Sequence, residues 1–241
     1  GWSQTLPSSN GNYSVIISSG ATTVTARDFG NFQLGSISGQ KFNDLNGNTT
    51  KDGGESGLQN WRIRLVKNNI QVDSILTDAS GNYTFSNLTN GTYTVSEQLQ
   101  NGWKQSLPVS GTYSVSVTSG TASTGKDFGN FQISTISGQK FNDVNGNGVK
   151  DGGELGLQNW RIRLVKNNIQ IDSILTDVSG NYTFTNLPTG TYTVSELQQS
   201  GWSQTLPSSN GNYSVIISSG ATTVTARDFG NFQLGSISGQ K

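Results

Sequence analysis

The chain has 241 residues with 15 basic and 15 acidic side chains, and it contains no Cys, Met or His. This balanced charge argues against nucleic acid or an anionic membrane as the main partner, and no apolar run approaches the length of a membrane span. A disulfide framework, a thiol nucleophile, a histidine base and a zinc site with Cys or His ligands are excluded.

The sequence repeats itself. Residues 1–41 are identical to residues 201–241, and residues 42–100 align without gaps with residues 141–199, with 11 differences. One unit is therefore about 99 to 101 residues, the size of a small domain. The chain samples a tandem array for a little over two units.

The stretch between the Phe-Gly-Asn-Phe and Ile-Ser-Gly-Gln-Lys motifs is the natural unit boundary. It predicts two whole repeats, at residues 35–133 and 134–233. Residues 1–34 are then the C-terminal part of a preceding repeat, and residues 234–241 are the first strand of a following one. We expect the chain to continue on both sides, or another chain to complete these partial units, because a partial sandwich leaves apolar faces and strand edges uncovered.

Strands dominate each unit, because apolar and polar residues alternate with period two. In the first repeat a strand ending at Lys41 comes first. Trp61, Ile63 and Leu65 then share one face of a strand, and Asn68-Asn69 forms a turn because Asn tolerates positive φ. The strands that follow are expected at 70–76, 82–85, 92–97, 113–117 and 126–131.

About seven short strands per unit, with no convincing helix, indicate an all-β fold. We expect tandem antiparallel β-sandwich domains of immunoglobulin-like or transthyretin-like topology in a linear array. The expected core residues of the first repeat are Trp61, Tyr83, Phe85, Tyr93, Val95 and Trp103.

A twelve-residue loop follows the first strand and carries oxygen ligands at the spacing of an EF-hand-type calcium loop. Calcium prefers six to eight hard oxygens, which alternating residues of a curled loop supply. The alternative is a polar turn rich in Asn and Gly. The predicted Ca²⁺ ligands are Asp44, Asn46, Asn48, Thr50, Asp52 and Glu55 in the first repeat, and Asp143, Asn145, Asn147, Val149, Asp151 and Glu154 in the second.

The sixth loop position differs between the repeats. An EF-hand loop has Gly there for a sharp turn, and this chain has Thr49 in the first repeat and Gly148 in the second. The sequence therefore predicts a strained and weaker site in the first repeat. No helices flank the loop, so a structural staple is favoured over a calcium-sensing switch.

These motifs resemble a known family. The run Ile37-Ser-Gly-Gln-Lys-Phe-Asn-Asp44, the loop with Gly57-Leu58 after it, and Gly91-Thr-Tyr-Thr-Val-Ser-Glu97 are similar to the calcium-binding B-type repeats of serine–aspartate repeat surface adhesins, which are related to the B-type (Cna-B) domains of collagen adhesins. The resemblance covers the whole unit in both copies. It implies a transthyretin-like sandwich, calcium staples, and a role in the stalk of a prokaryotic surface protein.

The resemblance also implies an internal isopeptide bond. Many B-type domains join a Lys on the first strand to an Asn on the last, promoted by a buried Glu. The matching triads are Lys41, Asn130 and Glu97 in the first repeat and Lys140, Asn231 and Glu196 in the second. Period two places Glu97 on the apolar face with Tyr93 and Val95. The alternative is a Lys–Glu ion pair at the sheet edge.

The leading functional hypothesis is structural: short linkers between near-identical domains make a semi-rigid extracellular stalk or filament, located at the cell surface or anchored to the cell wall. Its partners would be neighbouring repeats of the same chain and other copies in a filament. The alternative is a carbohydrate- or protein-binding adhesive module, with Trp103 and Trp202 as an aromatic platform repeated for avidity. An enzyme is disfavoured, because the acidic residues cluster in the loop and His and Cys are absent.

Overall fold

The structure, a computed structural model, describes residues 1–8, 11–17, 19–20, 23–208, 211–218 and 220–241. The chain divides into two compact units. One is formed by Gly1–Asp44, Asn48–Gln100 and Gln105–Asn130, and the other by Leu45–Gly47, Asn101–Lys104 and Phe131–Lys241.

The fold is all-β, as predicted, and no helix occurs in the described ranges. Within those ranges there is accordingly no helix that could cross a membrane. The strands are β1 Trp2–Leu6, β2 Gly30–Gln33, β3 Gly35–Asn43, β4 Arg62–Lys67, β5 Ile70–Leu76, β6 Asn82–Leu88, β7 Gly91–Glu97, β8 Trp103–Leu107, β9 Thr112–Val117, β10 Ala122–Ser123, β11 Phe128–Gln132, β12 Ser134–Asn142, β13 Arg161–Lys166, β14 Ile169–Leu175, β15 Asn181–Leu187, β16 Gly190–Glu196, β17 Trp202–Leu206, β18 Asn212–Ile217, β19 Thr223–Val224 and β20 Phe229–Gln233.

One sheet of the first repeat is built around β3. It has the order β10-β3-β11-β8, and β6 also pairs with β3. β6 runs antiparallel to β3, with Ile37 opposite Phe85, whereas β11 runs parallel to β3, with Lys41 opposite Phe128. The first and last strands of the repeat are therefore direct neighbours, which places Lys41 beside the strand that carries Asn130.

The second sheet is antiparallel, with the order β5-β4-β7-β9. Ile63 lies opposite Glu97, and Leu65 lies opposite Val95. Residues directly opposite each other share a face of the sheet, so Glu97 projects from the same face as the buried Ile63. The register thus turns an acidic side chain toward the core.

The core lies between these two sheets and contains five of the six predicted residues: Trp61, Tyr83, Phe85, Tyr93 and Val95 are each at most 3% exposed. Trp103 is only half-buried, because it begins β8, the edge strand of its sheet. Fully burying a large apolar side chain contributes about 1.5–3 kcal/mol, so this cluster is a main source of stability.

The second repeat reproduces these pairings. One sheet has the order β15-β12-β20-β17, with β19 on β12, and the other has the order β14-β13-β16-β18. Lys140 lies opposite Phe229 in the parallel pair, and Ile162 lies opposite Glu196 in the antiparallel pair. The same side chains are therefore brought together twice.

The predicted Asn turn between β4 and β5 is confirmed. Asn68 and Asn69 have φ values of +52° and +62°, in the left-handed region that Asn tolerates, and Asn167 and Asn168 repeat these values. This turn makes β4 and β5 a hairpin.

The partial units at the two ends behave differently from their copies. Among the described residues of 1–33, the strands are β1 and β2, which pair with each other. Residues 234–241, predicted to be a strand, are exposed and carry no strand, whereas the identical residues 34–41 contribute most of β3. The difference arises because residues 35–41 lie between β6 and β11, partners that residues 234–241 do not contact here.

Candidate cross-linking and calcium sites

A lysine lies inside each sandwich. Lys41 and Lys140 are both 0% exposed, although lysine is seldom fully buried unless it is paired. Asn130 and Asn231 are equally buried, and the Glu97 and Glu196 side chains are 1% exposed. The structure therefore brings together, in the core, all six residues of the two predicted triads.

In the first repeat Glu97 connects the other two members of the triad. Its Oε2 lies 3.1 Å from Lys41 Nζ, and its Oε1 accepts a 2.7 Å hydrogen bond from Asn130 Nδ2. Lys41 Nζ also donates to the main-chain oxygen of Phe128 at 3.3 Å. The ion pair that the sequence allowed at a sheet edge is thus present, but it lies in the interior, next to the Asn amide.

The second repeat has the same Lys–Glu and Glu–Asn contacts, with one further contact between Lys and Asn. Lys140 Nζ lies 3.1 Å from Glu196 Oε2, and Asn231 Nδ2 donates to Glu196 Oε1 at 2.7 Å. Lys140 Nζ also donates to Asn231 Oδ1 at 2.5 Å. The lysine nitrogen therefore directly contacts the side-chain amide of its predicted partner.

A tryptophan covers each lysine. Lys41 Nζ is 4.4 Å from the centroid of the Trp61 ring, and Lys140 Nζ is 4.4 Å from that of Trp160. The sequence marked Trp61 as a core residue but did not associate it with the triad. Period two placed its side chain inward, and only the contact between sheets shows which lysine it covers.

Burial moves both charged groups of the triad toward their neutral forms. It lowers the pKa of Lys41 to about 8, and the nearby Glu97 and Asp44 carboxylates only partly oppose this. Burial likewise raises the pKa of Glu97, with Lys41, Asn130 and Trp61 acting in the opposite direction. The pKa of Lys140 is lowered to about 8 and that of Glu196 is raised for the same reason.

The predicted calcium loop of the first repeat curls around Asp44. Asp44 is 0% exposed, and its carboxylate accepts hydrogen bonds from the main-chain N–H of Asn48 at 3.1 Å and of Thr49 at 2.9 Å. Asn48 Nδ2 donates to Asp52 Oδ2 at 2.7 Å, and the N–H of Asp52 donates to Glu55 Oε2 at 3.0 Å. Four predicted ligands are therefore joined through one hydrogen-bonded loop.

The loop of the second repeat closes in the same way. The Asp143 carboxylate accepts from the N–H groups of Asn147 and Gly148, and Asn145 and Asn147 both donate to Asp151 Oδ2. A cavity of about 340 Å³ lies at this loop. It is lined by Val144, Asn145, Asp151, Gly152, Gly153 and Glu154.

The donor set of the loops fits calcium by its chemistry, since it offers carboxylate, amide and main-chain oxygens. Glu55 is only 7% exposed, and its Oε1 has no hydrogen-bond partner. An unpaired buried carboxylate oxygen costs free energy, which a bound cation would offset. Nevertheless, within the described ranges no three acidic side chains converge as a metal-holding group. The carboxylates bond to N–H groups of the loop instead. The remaining predicted ligands, Asn46, Thr50 and Val149, lie within the loops.

The sixth loop position is strained in the first repeat. Thr49 has a φ of +70°, in the left-handed region where a β-branched residue is a conformational outlier, and Gly148 adopts +75° without that penalty. The predicted strain is therefore present in the backbone.

The predicted aromatic platform is not exposed in the second repeat. Trp202 is half-buried and meets the Trp160 ring edge-on, with centroids 5.5 Å apart. It packs against the core cluster of this repeat, so its ring has little free face for a ligand.

The family of the chain follows from its sequence. The SdrD B-like domain model matches residues 35–130 and 134–234, which is most of the chain. The chain therefore belongs to the SdrD B-like domain family, as the sequence motifs predict, and carries two copies in tandem. This membership confirms that the chain is a structural repeat segment and not an enzyme.

Named relatives include serine-aspartate repeat-containing protein F of Staphylococcus epidermidis (strain ATCC 12228 / FDA PCI 1200), 30% identical over 78% of this chain and 13% of its own length. Serine-aspartate repeat-containing protein D of Staphylococcus aureus (strain Newman) is 32% identical over 80% of this chain and 16% of its own length. The chain thus spans only about a seventh of these relatives.

Solved structures that match the chain include the Bacillus anthracis TIE protein, with a TM-score of 0.38 and 19% identity over 83% of this chain and 34% of that chain. GBS52, the minor pilin of Streptococcus agalactiae, has a TM-score of 0.35 and 14% identity over 86% of this chain and 99% of that chain.

Proposed function

We propose that this chain is a segment of an extracellular stalk or filament at a prokaryotic cell surface, in which each repeat is closed by a Lys–Asn isopeptide bond and stapled by calcium. The observation that carries the proposal is the buried Lys–Glu–Asn triad, present in both repeats with the same Lys–Glu distance of 3.1 Å. Membership of the SdrD B-like domain family supports the stalk.

The triad has the groups that such a bond needs. Lys41 Nζ, once neutral, attacks Cγ of Asn130, so that the Nζ–Cγ bond forms and the Cγ–Nδ2 bond breaks. Glu97, within hydrogen-bond reach of both nitrogens, accepts the proton that leaves Nζ and delivers it to Nδ2, which departs as ammonia. The lowered pKa of Lys41 makes its neutral form accessible near pH 8.

The bond would stabilise the repeat by joining its ends. Lys41 lies on the first strand and Asn130 on the last, so the covalent loop contains about 90 residues, and loop closure of this length is worth about 4–5 kcal/mol by the entropy model used for disulfides. A covalent tie between the first and last strands suits a stalk that bears tension.

Within each loop, Asp44, Asp52 and Glu55, or Asp143, Asp151 and Glu154, would hold calcium together with the amide and main-chain oxygens between them. The bound ion would offset the mutual repulsion of these carboxylates and so stiffen the loop. Thr50 and Val149 would each contribute a main-chain oxygen.

Intact mass spectrometry of the folded chain tests the bond. We expect a deficit of about 34 Da for the two repeats, which is two molecules of ammonia. Glu97→Gln should halve the deficit, because it removes the proton acceptor of one triad only, and Glu196→Gln is the matched variant in the other repeat. An unmodified mass for the wild type would refute the cross-link.

Thermal unfolding with and without calcium tests the staple separately. A ligand that binds only the folded state at 100 times its Kd adds about 2.7 kcal/mol, so calcium should raise Tm, and magnesium should do so less. An unchanged Tm in millimolar calcium would refute the calcium sites and leave the stalk and the cross-link standing.

A further inference from the structure

In each repeat a main-chain hydrogen bond joins the start of the loop to the asparagine of the triad. The N–H of Asp44 donates to the main-chain oxygen of Asn130 at 2.8 Å, and the N–H of Asp143 donates to that of Asn231 at 2.9 Å. Asp44 is the first residue of the loop, and Asn130 supplies the carbon that the lysine would attack. This bond extends the parallel ladder in which Asn43 lies opposite Asn130.

The far end of the loop is fastened to the strand that carries the lysine. The N–H of Asn43 donates to the main-chain oxygen of Ser56 at 2.9 Å, and the N–H of Leu58 donates to that of Lys41 at 2.9 Å. Phe42 and Gly57 form an isolated antiparallel bridge between these two bonds. The loop therefore begins and ends on the same short piece of β3, immediately after Lys41.

The inside of the loop depends on Asp44 as well. Its buried carboxylate accepts hydrogen bonds from the main-chain N–H groups of Asn48 and Thr49, and its own main-chain N–H donates to the main-chain oxygen of Asn130. A change in the loop that moves Asp44 therefore also moves the main chain of Asn130. The second repeat has the matching bonds at Asp143.

We propose, on the basis of the cross-link proposed above, that the loop and the triad of each repeat form one coupled unit, in which closure of the loop on a divalent cation sets the rate at which Lys41 reacts with Asn130 and Lys140 with Asn231. Acyl transfer needs its reacting atoms within about 3–3.5 Å, and a misplacement of about 1 Å costs roughly a hundredfold in rate. A cation bound by the loop would draw Asp44, Asp52 and Glu55 toward one point, and the hydrogen bond from Asp44 would carry that change to the main chain of Asn130.

The coupling gives the chain an order of assembly. Inside a cell, where free calcium is scarce, the repeats would remain unlinked, and they would become covalently closed on reaching a calcium-containing exterior. The first repeat, with the strained Thr49, should need more calcium than the second, with Gly148.

Cell-free synthesis of the full chain in the presence of EGTA, followed by addition of calcium, tests the coupling. Intact mass gives the total loss of ammonia over time, and proteolytic peptides identify each linked pair. We expect both links to form about tenfold faster after calcium is added than in EGTA, since a shift of about 0.5 Å gives that factor on this scale. Magnesium at the same concentration is the ion control.

Repeat-specific variants separate a local effect from a general one. Asp52→Asn with Glu55→Gln should slow only the Lys41–Asn130 link, and Asp151→Asn with Glu154→Gln should slow only the Lys140–Asn231 link. Hydrogen exchange of β4 and β7 in the first repeat, or of β13 and β16 in the second, reports whether the altered repeat is still folded. Slow linking in a repeat whose two strands have lost protection would overturn the coupling, because unfolding would then explain it.

The outcomes distinguish the coupling from the function on which it rests. Complete links formed at equal rates in EGTA and in calcium would overturn the coupling and leave the cross-link intact. No loss of ammonia under any condition would remove the cross-link, and the coupling with it. Two results together would support the coupling: in the wild type the links form only after calcium is added, and in each pair of loop variants only the link of the altered repeat is slowed.

Discussion

Single residues decide the chemistry of each repeat. Lys41, Glu97 and Asn130 come from three strands, and the Glu97 carboxylate contacts both of the other two side chains in the interior. The free energy of removing two charges from water can exceed the attraction between them, so a buried ion pair adds little stability by itself. If one partner is removed, the other charge is left buried without compensation. The triad is better explained by reactivity than by stability.

The pKa of the lysine predicts how the cross-linking rate depends on pH. Burial lowers the pKa of Lys41 to about 8, with the carboxylates of Glu97 and Asp44 opposing the shift, and only neutral Nζ is a nucleophile. Below pH 8 the neutral fraction rises about tenfold per pH unit, and above it the fraction levels off. We therefore expect the rate of Lys41–Asn130 bond formation, measured on the chain made by cell-free synthesis, to rise between pH 6 and 8 and then to reach a plateau. A rate independent of pH over this range would contradict this assignment.

The loop residue Thr49 offers a matched pair of substitutions. Its φ of +70° costs about 1–3 kcal/mol, a penalty that Gly148 avoids at +75°. Thr49→Gly should tighten calcium binding by the first repeat, and Gly148→Thr should weaken binding by the second. Isothermal titration of both variants measures this, and a loss of affinity in Thr49→Gly would show that the strain does not limit binding.

At the scale of elements, main-chain segments packed closely against β3 hold in place the strand that carries Lys41. A Cβ on Gly57 would lie 1.9 Å from the main-chain oxygen of Ser80, and a Cβ on Gly81 would lie 2.1 Å from that of Lys41. These glycines let the segment after the loop and the turn before β6 pack directly on β3. The position of Lys41 therefore depends on residues that carry no side chain.

Substitution of Gly57 tests this packing. Gly57→Ala should lower Tm by several degrees, because the obstacle is main chain and cannot rotate away. Gly53→Ala is the control, since no atom lies within 4 Å of a Cβ built there. Thermal melts in EGTA compare the two without any contribution from calcium, and equal Tm values would show that β3 can shift to accept the methyl group.

For the whole molecule, the proposed cross-links would limit how far the chain extends under force. Lys140 and Asn231, which the second link would join, are 91 positions apart, and about 3.3–3.6 Å per residue makes this about 300 Å of chain that a bond would withhold. Single-molecule stretching of the wild type should show no extension steps of that length. Glu97→Gln should restore one step and the double variant Glu97→Gln with Glu196→Gln two. Steps of 300 Å in the wild type would contradict a covalently closed stalk.

Much of the local structure could be predicted from the sequence. Period two placed Trp61, Ile63, Leu65 and Glu97 on inward faces, and the Asn68-Asn69 turn followed from the tolerance of Asn for positive φ. The triad residues were predicted from the family resemblance together with the period-two alternation, which placed Glu97 on the apolar face. The role of Trp61 above Lys41, and the hydrogen bond between Asp44 and Asn130, could not be predicted, because each joins segments distant in sequence.

The identical segments show what the sequence alone determined and what it left open. It determined the repeat, the strand pattern, and the residues available for the triad and the loop. Residues 212–217 form β18 beside β16, whereas the identical residues 12–17 form no strand, just as residues 234–241 form none while 35–41 lie in β3. Only the tertiary structure decides these cases, because a strand needs a neighbour to satisfy its main-chain hydrogen bonds and to cover its apolar face. The same neighbours bring Lys41, Glu97 and Asn130 into contact.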